Sequence, residues 1–409
     1  MKKIFSFLIL FVFIYSKFFY ISIFNLGGFN FTLSDLSIGV MYISIAFDKR
    51  LFNKDNKKIL LFYNSIFLLS LLMLFTSSLG ALLINNNVLN GIMTFLKMWM
   101  LSIYIPLFIY LKFNKKDIKY FIYMIMILSI LFIFDYSKVL QQENFSENMR
   151  FYGEHSNPNG WGAYFSCIII MLIHIKQKSL TFKILKIITF LICLIFIMYA
   201  GSRTAMFSIL IVLFLILLNT KLSLDYLKLI KYLFISICVI ACIPFAIKFI
   251  EIAFPHTYFR LERALVDQGI LGDESVVTRF QSQIFFLTAI SNYPENVIFG
   301  VGIGGSNLTR LSSLNFGTFQ TSDNQYTEIF LWSGLIGFLI FSCILFKIYT
   351  RINMKIKQNI PITNAAKYVF IYMFLCGFTM YGFTESMISS NLFILLGFVE
   401  LERKFIMLQ

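Results

Sequence analysis

ILKIITFLICLIFIMYA-GSRT-AMFSILIVLFLILLN, residues 184–219, consists of two long apolar runs that are separated by only four residues. A helix that crosses a bilayer needs roughly 20 mostly apolar residues. The stretch therefore predicts two antiparallel membrane helices, 184–200 and 205–219, joined by a very tight turn.

The rest of the chain has the same apolar character. Hydrophobic residues make up 58% of the 409 positions and charged residues 13%, and the mean hydropathy is +0.79. Because a soluble domain carries about 25% charged residues, the composition predicts an all-α integral membrane protein with about 12 transmembrane helices. The predicted spans are 4–22, 31–47, 59–84, 92–111, 118–135, 160–175, 184–200, 205–219, 232–252, 323–346, 366–381 and 387–401.

The basic residues indicate the orientation of these spans. Lysine and arginine cluster in alternate loops, and cytoplasmic loops carry an excess of both residue types. With the N-terminus inside, every cluster falls on the cytoplasmic side, which predicts an even number of spans and two cytoplasmic termini in a plasma membrane. The net charge of +15 is thus topology information, and we expect no nucleic-acid partner. The clusters lie at 49–58, 112–119, 176–186, 221–231 and 347–357.

Three regions follow from this topology: helices 1–9 in residues 1–252, a large extracytoplasmic loop at 253–322 before the tenth span, and helices 10–12 with a cytoplasmic tail at 323–409. Within the loop, Phe280, Ile284 and Leu287 have helical spacing. This spacing predicts a helix over Thr278–Asn292 that lies along the membrane surface. Residues 292–305 contain Pro294 and four glycines, and they predict a turn.

Arginine and lysine are distributed differently across the predicted membrane. Six of the nine arginines fall on the outer side or at its boundary, where the positive-inside rule disfavours them. The planar guanidinium binds phosphate oxygens with two parallel hydrogen bonds, so an outer-face cluster indicates a phosphate or pyrophosphate ligand. Pairing with acidic residues on the same side is the alternative. These arginines are Arg150, Arg203, Arg260, Arg263, Arg279 and Arg310.

Three outer-face motifs combine polar residues with glycine. The first runs from Arg150-Phe-Tyr-Gly153 through His155 to Asn157-Pro158-Asn159-Gly160. The second is Gly201-Ser202-Arg203-Thr204, whose turn holds Arg203 at the membrane boundary, where a low dielectric constant strengthens pairing with an anion. The third is Asp323-Asn324, followed after nine residues by Gly334-Leu-Ile-Gly337.

Together these motifs, with Arg279 leading to Gly300-Val-Gly302, resemble the O-antigen polymerase and O-antigen ligase family. The resemblance implies a glycosyltransferase that moves glycans from undecaprenyl pyrophosphate on the outer face of the plasma membrane and uses no nucleotide sugar. The ligase branch has a His where this chain has Asp323, so the resemblance favours the polymerase branch. Its partners are the lipid-linked oligosaccharide, the bilayer and a possible chain-length regulator.

The expected site residues divide by task. Asp323 is the expected general base for the acceptor hydroxyl, although Asp is also a favoured N-cap. Arg203 and Arg279 are expected to neutralise the departing pyrophosphate. Other expected substrate-binding residues are Arg150, His155, Asn157, Asn159 and Asn324. We expect no cofactor and no metal, because the six cysteines fall within predicted spans and the three histidines are scattered.

Two alternatives to the polymerase remain open. An O-antigen ligase uses the same donor and transfers the glycan to the lipid A core. A lipid-linked oligosaccharide flippase belongs to a different class and also has about 12 spans. A flippase should carry its charges along a central cavity within the spans, whereas the informative charges here lie at the outer face.

Overall fold

The computed structural model describes thirteen stretches of the chain and a few isolated positions. The predicted spans 4–22 and 232–252, and most of 92–111, lie largely outside them. The stretches are 22–26, 29–46, 57–83, 104–110, 115–140, 158–175, 179–219, 247–262, 274–291, 294–302, 324–356, 361–380 and 386–407, with residues 88, 92, 102, 113 and 245 in addition.

Helices dominate these stretches. In chain order they are α1 (Leu33–Ala46), α2 (Lys57–Leu83), α3 (Tyr104–Tyr110), α4 (Lys115–Leu140), α5 (Pro158–His174), α6 (Leu180–Ala200), α7 (Arg203–Asn219), α8 (Pro255–Glu262), α9 (Glu274–Ser291), α10 (Pro294–Phe299), α11 (Gln325–Ile356), α12 (Pro361–Cys376) and α13 (Ser386–Met407).

Among the described residues, three helical stretches are long and apolar enough to cross a bilayer: Ile59–Leu83, Leu180–Ala200 and Gln325–Met354. Four shorter apolar helices accompany them: Asn159–His174, Arg203–Leu218, Ile362–Cys376 and Asn391–Leu401. The helical membrane class is therefore confirmed. The number of twelve spans and the placement of the loops stay predictions.

A small antiparallel hairpin precedes α1 and was not expected from the sequence. Strand β1 (Ser22–Leu26) pairs with β2 (Phe29–Thr32), so the predicted span 31–47 is wrong at its first two residues. The helix begins at Leu33 because Thr32 and Asp35 cap it reciprocally. The Thr32 N–H donates to Asp35 Oδ2 at 2.9 Å, and the Asp35 N–H donates to Thr32 Oγ1 at 3.4 Å.

Helix α5 lies at the centre of the helical packing. Nearly every residue from Trp161 to Leu172 is buried, and the helix packs against α6, α7, α12 and α13. Its aromatic side chains form a cluster in which Trp161 contacts Phe132 with ring centroids 4.5 Å apart and Phe165 stacks on Phe196 at 4.9 Å. A helix buried on all sides carries no polar face, which explains the continuous apolar run of this segment.

Helices α2 and α11 form the most extensive pair, and α11 is interrupted at Gly334. The Gly334 backbone has φ 63° and ψ −165°, so Gln325–Ser333 and the residues from 335 onward are two half-helices. This conformation is essentially restricted to glycine. The interruption removes the normal hydrogen-bond partners of the last carbonyls of the first half.

The segment that follows α10 supplies the missing partners. The Val301 N–H donates to the carbonyl oxygen of Leu331 at 2.7 Å, and the Gly302 N–H donates to that of Trp332 at 3.1 Å. Non-helical backbone within a membrane protein is tolerated where other protein groups satisfy it. Residues 301–302 thus provide hydrogen-bond donors for the carbonyl groups at the end of the first half-helix.

Three glycines make this close approach possible, and we call Gly80, Gly300 and Gly334 the glycine node. A Cβ atom at Gly334 would lie 2.6 Å from the Gly300 nitrogen, and one at Gly80 would lie 2.6 Å from the Phe299 carbonyl oxygen. One at Gly300, where φ is 82°, would collide with the backbone of Trp332 and Ser333. The node therefore joins α2, α10 and α11 through backbone contact.

A buried ion pair joins the C-terminal part of α11 to the C-terminal part of α13. The guanidinium of Arg351 donates from Nε and Nη2 to the two carboxylate oxygens of Glu400 at 2.7 and 2.9 Å. The side chains are only 13% and 2% exposed. The Arg351 guanidinium also lies 5.1 Å from the ring centroid of Phe62 on α2, so three helices meet at this group.

The predicted loop 253–322 contains three described helices. Helix α9 confirms the helix expected at Thr278–Asn292 and begins four residues earlier. The turn expected over 292–305 is wrong in part, because Pro294–Phe299 forms α10. Proline favours the first position of a helix, where its missing N–H is not needed, and the glycine-rich backbone follows only from Gly300.

Candidate functional site

The tight turn between α6 and α7 fixes the position of Arg203. Gly201 ends α6 in the left-handed region at φ 55°, and its N–H donates to the Met198 carbonyl oxygen at 3.0 Å. Ser202 is completely buried, its carbonyl oxygen accepts the Met206 N–H at 3.0 Å, and its hydroxyl faces the Ala205 N–H at 3.4 Å. Arg203 is consequently the first residue of α7, and it is partly buried.

The first turn of α5 packs directly on this tight turn. A Cβ atom added at Gly162 would lie 3.0 Å from the Ala205 Cβ and 3.2 Å from the Ser202 Cβ. Only glycine lets the two segments come so close without displacement. Asn159 lies three residues before Gly162 on α5 and is partly buried. The structure thereby brings the end of the Asn-Pro-Asn motif to the Gly-Ser-Arg-Thr motif.

The remaining residues of the first motif are not described by the structure. Arg150, His155 and Asn157 all fall in the segment 141–157, between α4 and α5. Their roles in substrate binding stay predictions, as does that of Asn159.

The end of α12 connects the tight turn to the start of α11. The Thr379 hydroxyl donates to the Thr204 hydroxyl oxygen at 2.8 Å, and the Gln325 N–H donates to the Gly377 carbonyl oxygen at 2.9 Å. The Tyr326 hydroxyl donates to the Phe374 carbonyl oxygen at 2.8 Å. The second and third motifs are therefore linked through three residues at the end of α12 and in the turn after it: Phe374, Gly377 and Thr379.

Asn324 caps α11. Its Oδ1 accepts the N–H groups of Tyr326 at 2.9 Å and Thr327 at 3.2 Å, as an N-cap side chain does. The residue is 8% exposed. Asp323, the expected general base, lies just outside the described residues. Since Asn324 performs the capping, the helix does not require Asp323 for that purpose.

Glu328 is a buried acidic residue that the sequence interpretation missed. It lies in the first turns of α11, is 1% exposed, and its N–H donates to the Asn324 carbonyl oxygen at 2.9 Å. A negative charge is favourable near a helix N-terminus, which gives it a structural role there. The available signal was its position inside the predicted span 323–346, because ionisable residues within spans frequently mark functional sites.

Helix α9 carries Arg279 and is fastened to the first half of α11. Phe286 and Ile290 are buried in a cluster with Val301 and Leu331. Arg279 lies seven residues before Phe286 on α9 and is partly buried, and its carbonyl oxygen accepts the Ser282 hydroxyl at 2.8 Å. Helix α7, which begins at Arg203, is thus connected indirectly to the Gln325–Ser333 half-helix through the turn after α12, and α9, which carries Arg279, packs on it at Leu331.

The opposite face of α9 is apolar and exposed. Phe280, Ile284 and Leu287 are 57%, 63% and 43% exposed. These are the three residues whose spacing predicts a helix at the membrane surface. The helix is present, and its location at the membrane surface stays a prediction.

Helix α8 docks beside the same tight turn. The buried Thr257 hydroxyl donates to the Met198 carbonyl oxygen, and the Phe254 ring contacts Tyr199 with centroids 4.8 Å apart. On α8 the Tyr258 hydroxyl donates to Glu262 Oε1 at 3.2 Å. This hydrogen bond to a carboxylate raises the pKa of Tyr258.

The apolar helices define an integral membrane protein in which hydrogen bonds join the tight turn, the turn after α12 and the start of α11. A family model described as O-antigen ligase matches residues 188–342, which include the tight turn, α9, Gly300 and Gly334 of the glycine node, and Asp323. The match covers less than half of the chain, and it confirms the resemblance to the O-antigen polymerase and ligase family. No curated protein matches the chain.

The family points to an enzyme of the glycosyltransferase or ligase type that acts on lipid-linked oligosaccharides in a membrane. Six described helices that lie wholly or partly within the match meet at α11 or at the tight turn: α6, α7, α8, α9, α10 and α11. The first motif, around Arg150 and Asn157, lies outside the matched region.

Proposed function

We propose that this protein is an oligosaccharide repeat-unit polymerase for O-antigen or capsule. It transfers a glycan from undecaprenyl pyrophosphate to a sugar hydroxyl of another lipid-linked repeat. The observation that supports the proposal is that the helices carrying Arg203 and Arg279 are both connected to the Gln325–Ser333 half-helix, whose cap is Asn324, within the residues that the family model matches.

The proposed reaction is a displacement at the anomeric carbon of the donor. The acceptor hydroxyl oxygen forms the new glycosidic bond, its proton passes to the Asp323 carboxylate, and the bond between the sugar and the pyrophosphate breaks. The leaving group departs as undecaprenyl pyrophosphate, and Arg203 and Arg279 stabilise its negative charge. No nucleotide is consumed, because pyrophosphate is already a good leaving group.

The assignment of Asp323 as the base is supported by its neighbour. Asn324 supplies the side-chain cap of α11, so the cap does not explain why an Asp stands at 323. In the ligase branch of the family a His occupies this place, and its replacement by Asp supports a polymerase. The match to a model described as O-antigen ligase supports the second candidate, transfer to the lipid A core.

The proposed setting is a bacterial plasma membrane, with both termini in the cytoplasm and the half-helix Gln325–Ser333 at the outer face. A chain-length regulator is a proposed partner. Reporter fusions within 253–322 and after Lys357 test the topology: the first should be active outside the cytoplasm and the second inside. Activity outside the cytoplasm after Lys357 would contradict it.

Adjacent substitutions at 323 and 324 test the mechanism. Asp323→Asn should abolish polymerisation with purified lipid-linked repeats and leave the thermal midpoint unchanged. Asn324→Ala should lower the unfolding free energy by about 1 kcal/mol through loss of the cap, whereas Asn324→Asp should keep the cap. An active Asp323→Asn enzyme would refute the base assignment.

A gel of the surface glycan separates the candidate activities. Deletion of the gene should leave a single repeat on the lipid A core if the protein is a polymerase, and a bare core if it is a ligase. Loss of a flippase would strand repeats on the inner leaflet.

A further inference from the structure

A groove with a volume of about 500 Å³ lies between the two half-helices of α11 and the C-terminal part of α12. Asn324, Tyr326 and Thr327 form its polar end. The other nine lining residues comprise six phenylalanines, a leucine, Ser342 and Tyr349. The hydroxyl of Ser342 donates to the Phe338 carbonyl oxygen of its own helix at 2.9 Å, so this part of the wall is apolar in effect.

Aromatic contacts hold the groove in a fixed shape. Tyr326 contacts Phe374 and Phe378 with ring centroids 5.6 and 4.8 Å apart, and its hydroxyl is bonded to the Phe374 carbonyl oxygen. At the other end Tyr349 contacts Phe370 at 5.8 Å. The volume falls within the range of preformed ligand sites, roughly 300–1,000 Å³.

The groove opens towards the surroundings of the bundle. Phe346 is 67% exposed, and Phe374 and Phe378 are 41% and 50% exposed. On helices that cross a bilayer such side chains face lipid, so a hydrocarbon chain can enter the groove sideways. None of the lining residues that the structure describes is charged. A phosphate therefore cannot be held inside the groove and has to lie beyond its polar end.

We propose that this groove binds the isoprenoid tail of the polyprenyl pyrophosphate donor. The inference rests on the proposed function, and it specifies how the donor is held. Asn324 belongs to the polar end of the groove and is adjacent in sequence to Asp323. A tail in the groove thus runs from the proposed reacting centre along the second half of α11.

The chemistry of the substrates distinguishes the donor tail from the acceptor tail. In the donor, a pyrophosphate alone separates the tail from the reacting sugar carbon. In a lipid-linked acceptor, the whole repeat separates the tail from the reacting hydroxyl. The tail that ends beside the proposed base is therefore the donor's, and the assignment holds for a polymerase and for a ligase alike.

Photochemical labelling tests occupancy without requiring turnover. The probe is undecaprenyl pyrophosphate with a diazirine in its tail, added to the full-length protein in nanodiscs of phosphatidylethanolamine and phosphatidylglycerol. We expect label on peptides containing residues 338–349 and 370–378, displaced by unlabelled undecaprenyl pyrophosphate and unaffected by added phosphatidylglycerol. Equal displacement by phosphatidylglycerol, or label elsewhere only, would mean that ordinary lipid fills the groove and would overturn the proposal.

A pair of tryptophan substitutions tests the role of the groove in catalysis. Ser342→Trp fills the groove, whereas Leu339→Trp adds the same bulk at a 55% exposed position of α11 that does not line it. We expect the KM for the donor to rise roughly tenfold or more in Ser342→Trp, as for other losses of fit in an apolar pocket, and to stay unchanged in Leu339→Trp. Equal KM values in the two variants would overturn the proposal.

The two experiments separate this inference from the proposed function. Specific labelling of the groove in a protein that transfers no glycan to any acceptor would refute the function and leave the groove assignment intact. Glycan transfer that is insensitive to Ser342→Trp, in a protein without label in the groove, would refute the groove assignment and leave the proposed function intact.

Discussion

The α2–α11 pair is held at one end by backbone and at the other by charge. The glycine node joins Gly80 to Gly300 and Gly334 by direct backbone approach, whereas the Arg351–Glu400 ion pair lies against Phe62 at the opposite end. Phe62 and Gly80 are 18 residues apart (80 − 62), or about 27 Å of helix at 1.5 Å per residue. Gly334 and Arg351 are 17 residues apart (351 − 334), or about 26 Å.

These two spacings are close to the thickness of the hydrocarbon core, about 30 Å. The two fastenings thus lie about one membrane thickness apart. The glycine node lies at the C-terminal end of the Gln325–Ser333 half-helix. The break there exposes carbonyl groups of Leu331 and Trp332, which accept hydrogen bonds from Val301 and Gly302. The ion pair joins three helices, and the contacts described for it involve none of the candidate site residues that the structure describes. We therefore expect substitutions at the ion pair to change stability alone, and substitutions at the other end to change the fold around the candidate site or the rate of transfer.

Gly334→Ala should have the largest effect. Alanine cannot adopt φ 63° with ψ −165° without strain, and its Cβ would collide with α10. We expect a loss of unfolding free energy above about 4 kcal/mol, seen as a loss of monodisperse protein in detergent. The control is Gly39→Ala on α1, where a Cβ meets nothing within 4 Å and alanine favours the helix. Normal folding of Gly334→Ala would show that the node is dispensable.

Glu400→Ala should destabilise the other end without altering the chemistry. It leaves the Arg351 guanidinium buried without its carboxylate, which costs about 3–5 kcal/mol of unfolding free energy. The measurement is the thermal midpoint of unfolding. We expect unchanged transfer per folded molecule. The double variant Arg351→Met with Glu400→Leu should recover most of the stability. A selective loss of transfer in Glu400→Ala would contradict the separation of the two ends.

Arg203→Ala should do the opposite, with a rate of transfer lowered on the order of 10²–10³-fold and a near-normal thermal midpoint. Arg203→Lys should be impaired to a smaller extent, since lysine keeps the charge and loses the planar fork. Lys119→Ala is the control for loss of a positive charge at the predicted cytoplasmic side. The measurement is single-turnover transfer from the lipid-linked donor, and wild-type rates in a folded Arg203→Ala protein would remove Arg203 from the site.

Thr379→Val should have the smallest effect of the four. It removes the hydroxyl that donates to Thr204, and one neutral hydrogen bond contributes about 1 kcal/mol. We expect a small decrease in the thermal midpoint. Thr288→Val is the control, because its exposed hydroxyl bonds only to the Ile284 carbonyl oxygen of its own helix among the contacts seen here. Equal midpoints for the two variants would mean that the Thr204–Thr379 contact does not stabilise the site.

The sequence predicted the features that depend on local pattern. Apolar run length located α2, α6 and α7 to within a few residues, and helical spacing located α9. The tight turn was predicted because only four residues separate two apolar runs, and in the structure Gly201 ends the first helix and Ser202 precedes the second. In each case the physical cause lies within a few residues of the feature.

Features that depend on distant partners were not predictable in the same way. The carbonyl groups at the Gly334 break are bonded by Val301 and Gly302, which lie about 30 residues earlier in the chain. Arg351 pairs with Glu400, which lies 49 residues later. The identity of the α11 cap was ambiguous because Asp323 and Asn324 are both good capping residues. The hairpin before α1 had a local signal, Gly27-Gly28, which is typical of tight strand connections.

The contact of Gly80 with Gly300 has a consequence for how the chain is assembled. Gly80 of α2 is synthesised 220 residues (300 − 80) before Gly300, so the face of α2 that contacts Gly300 is uncovered until that segment has been made. Two of the buried hydroxyl groups of α2 are suited to this delay: Ser70 donates to the Ile66 carbonyl oxygen at 2.8 Å and Thr76 to that of Met73 at 2.9 Å. Each is satisfied by its own helix. The early half of the protein can therefore be inserted stably before the later half arrives to cover it.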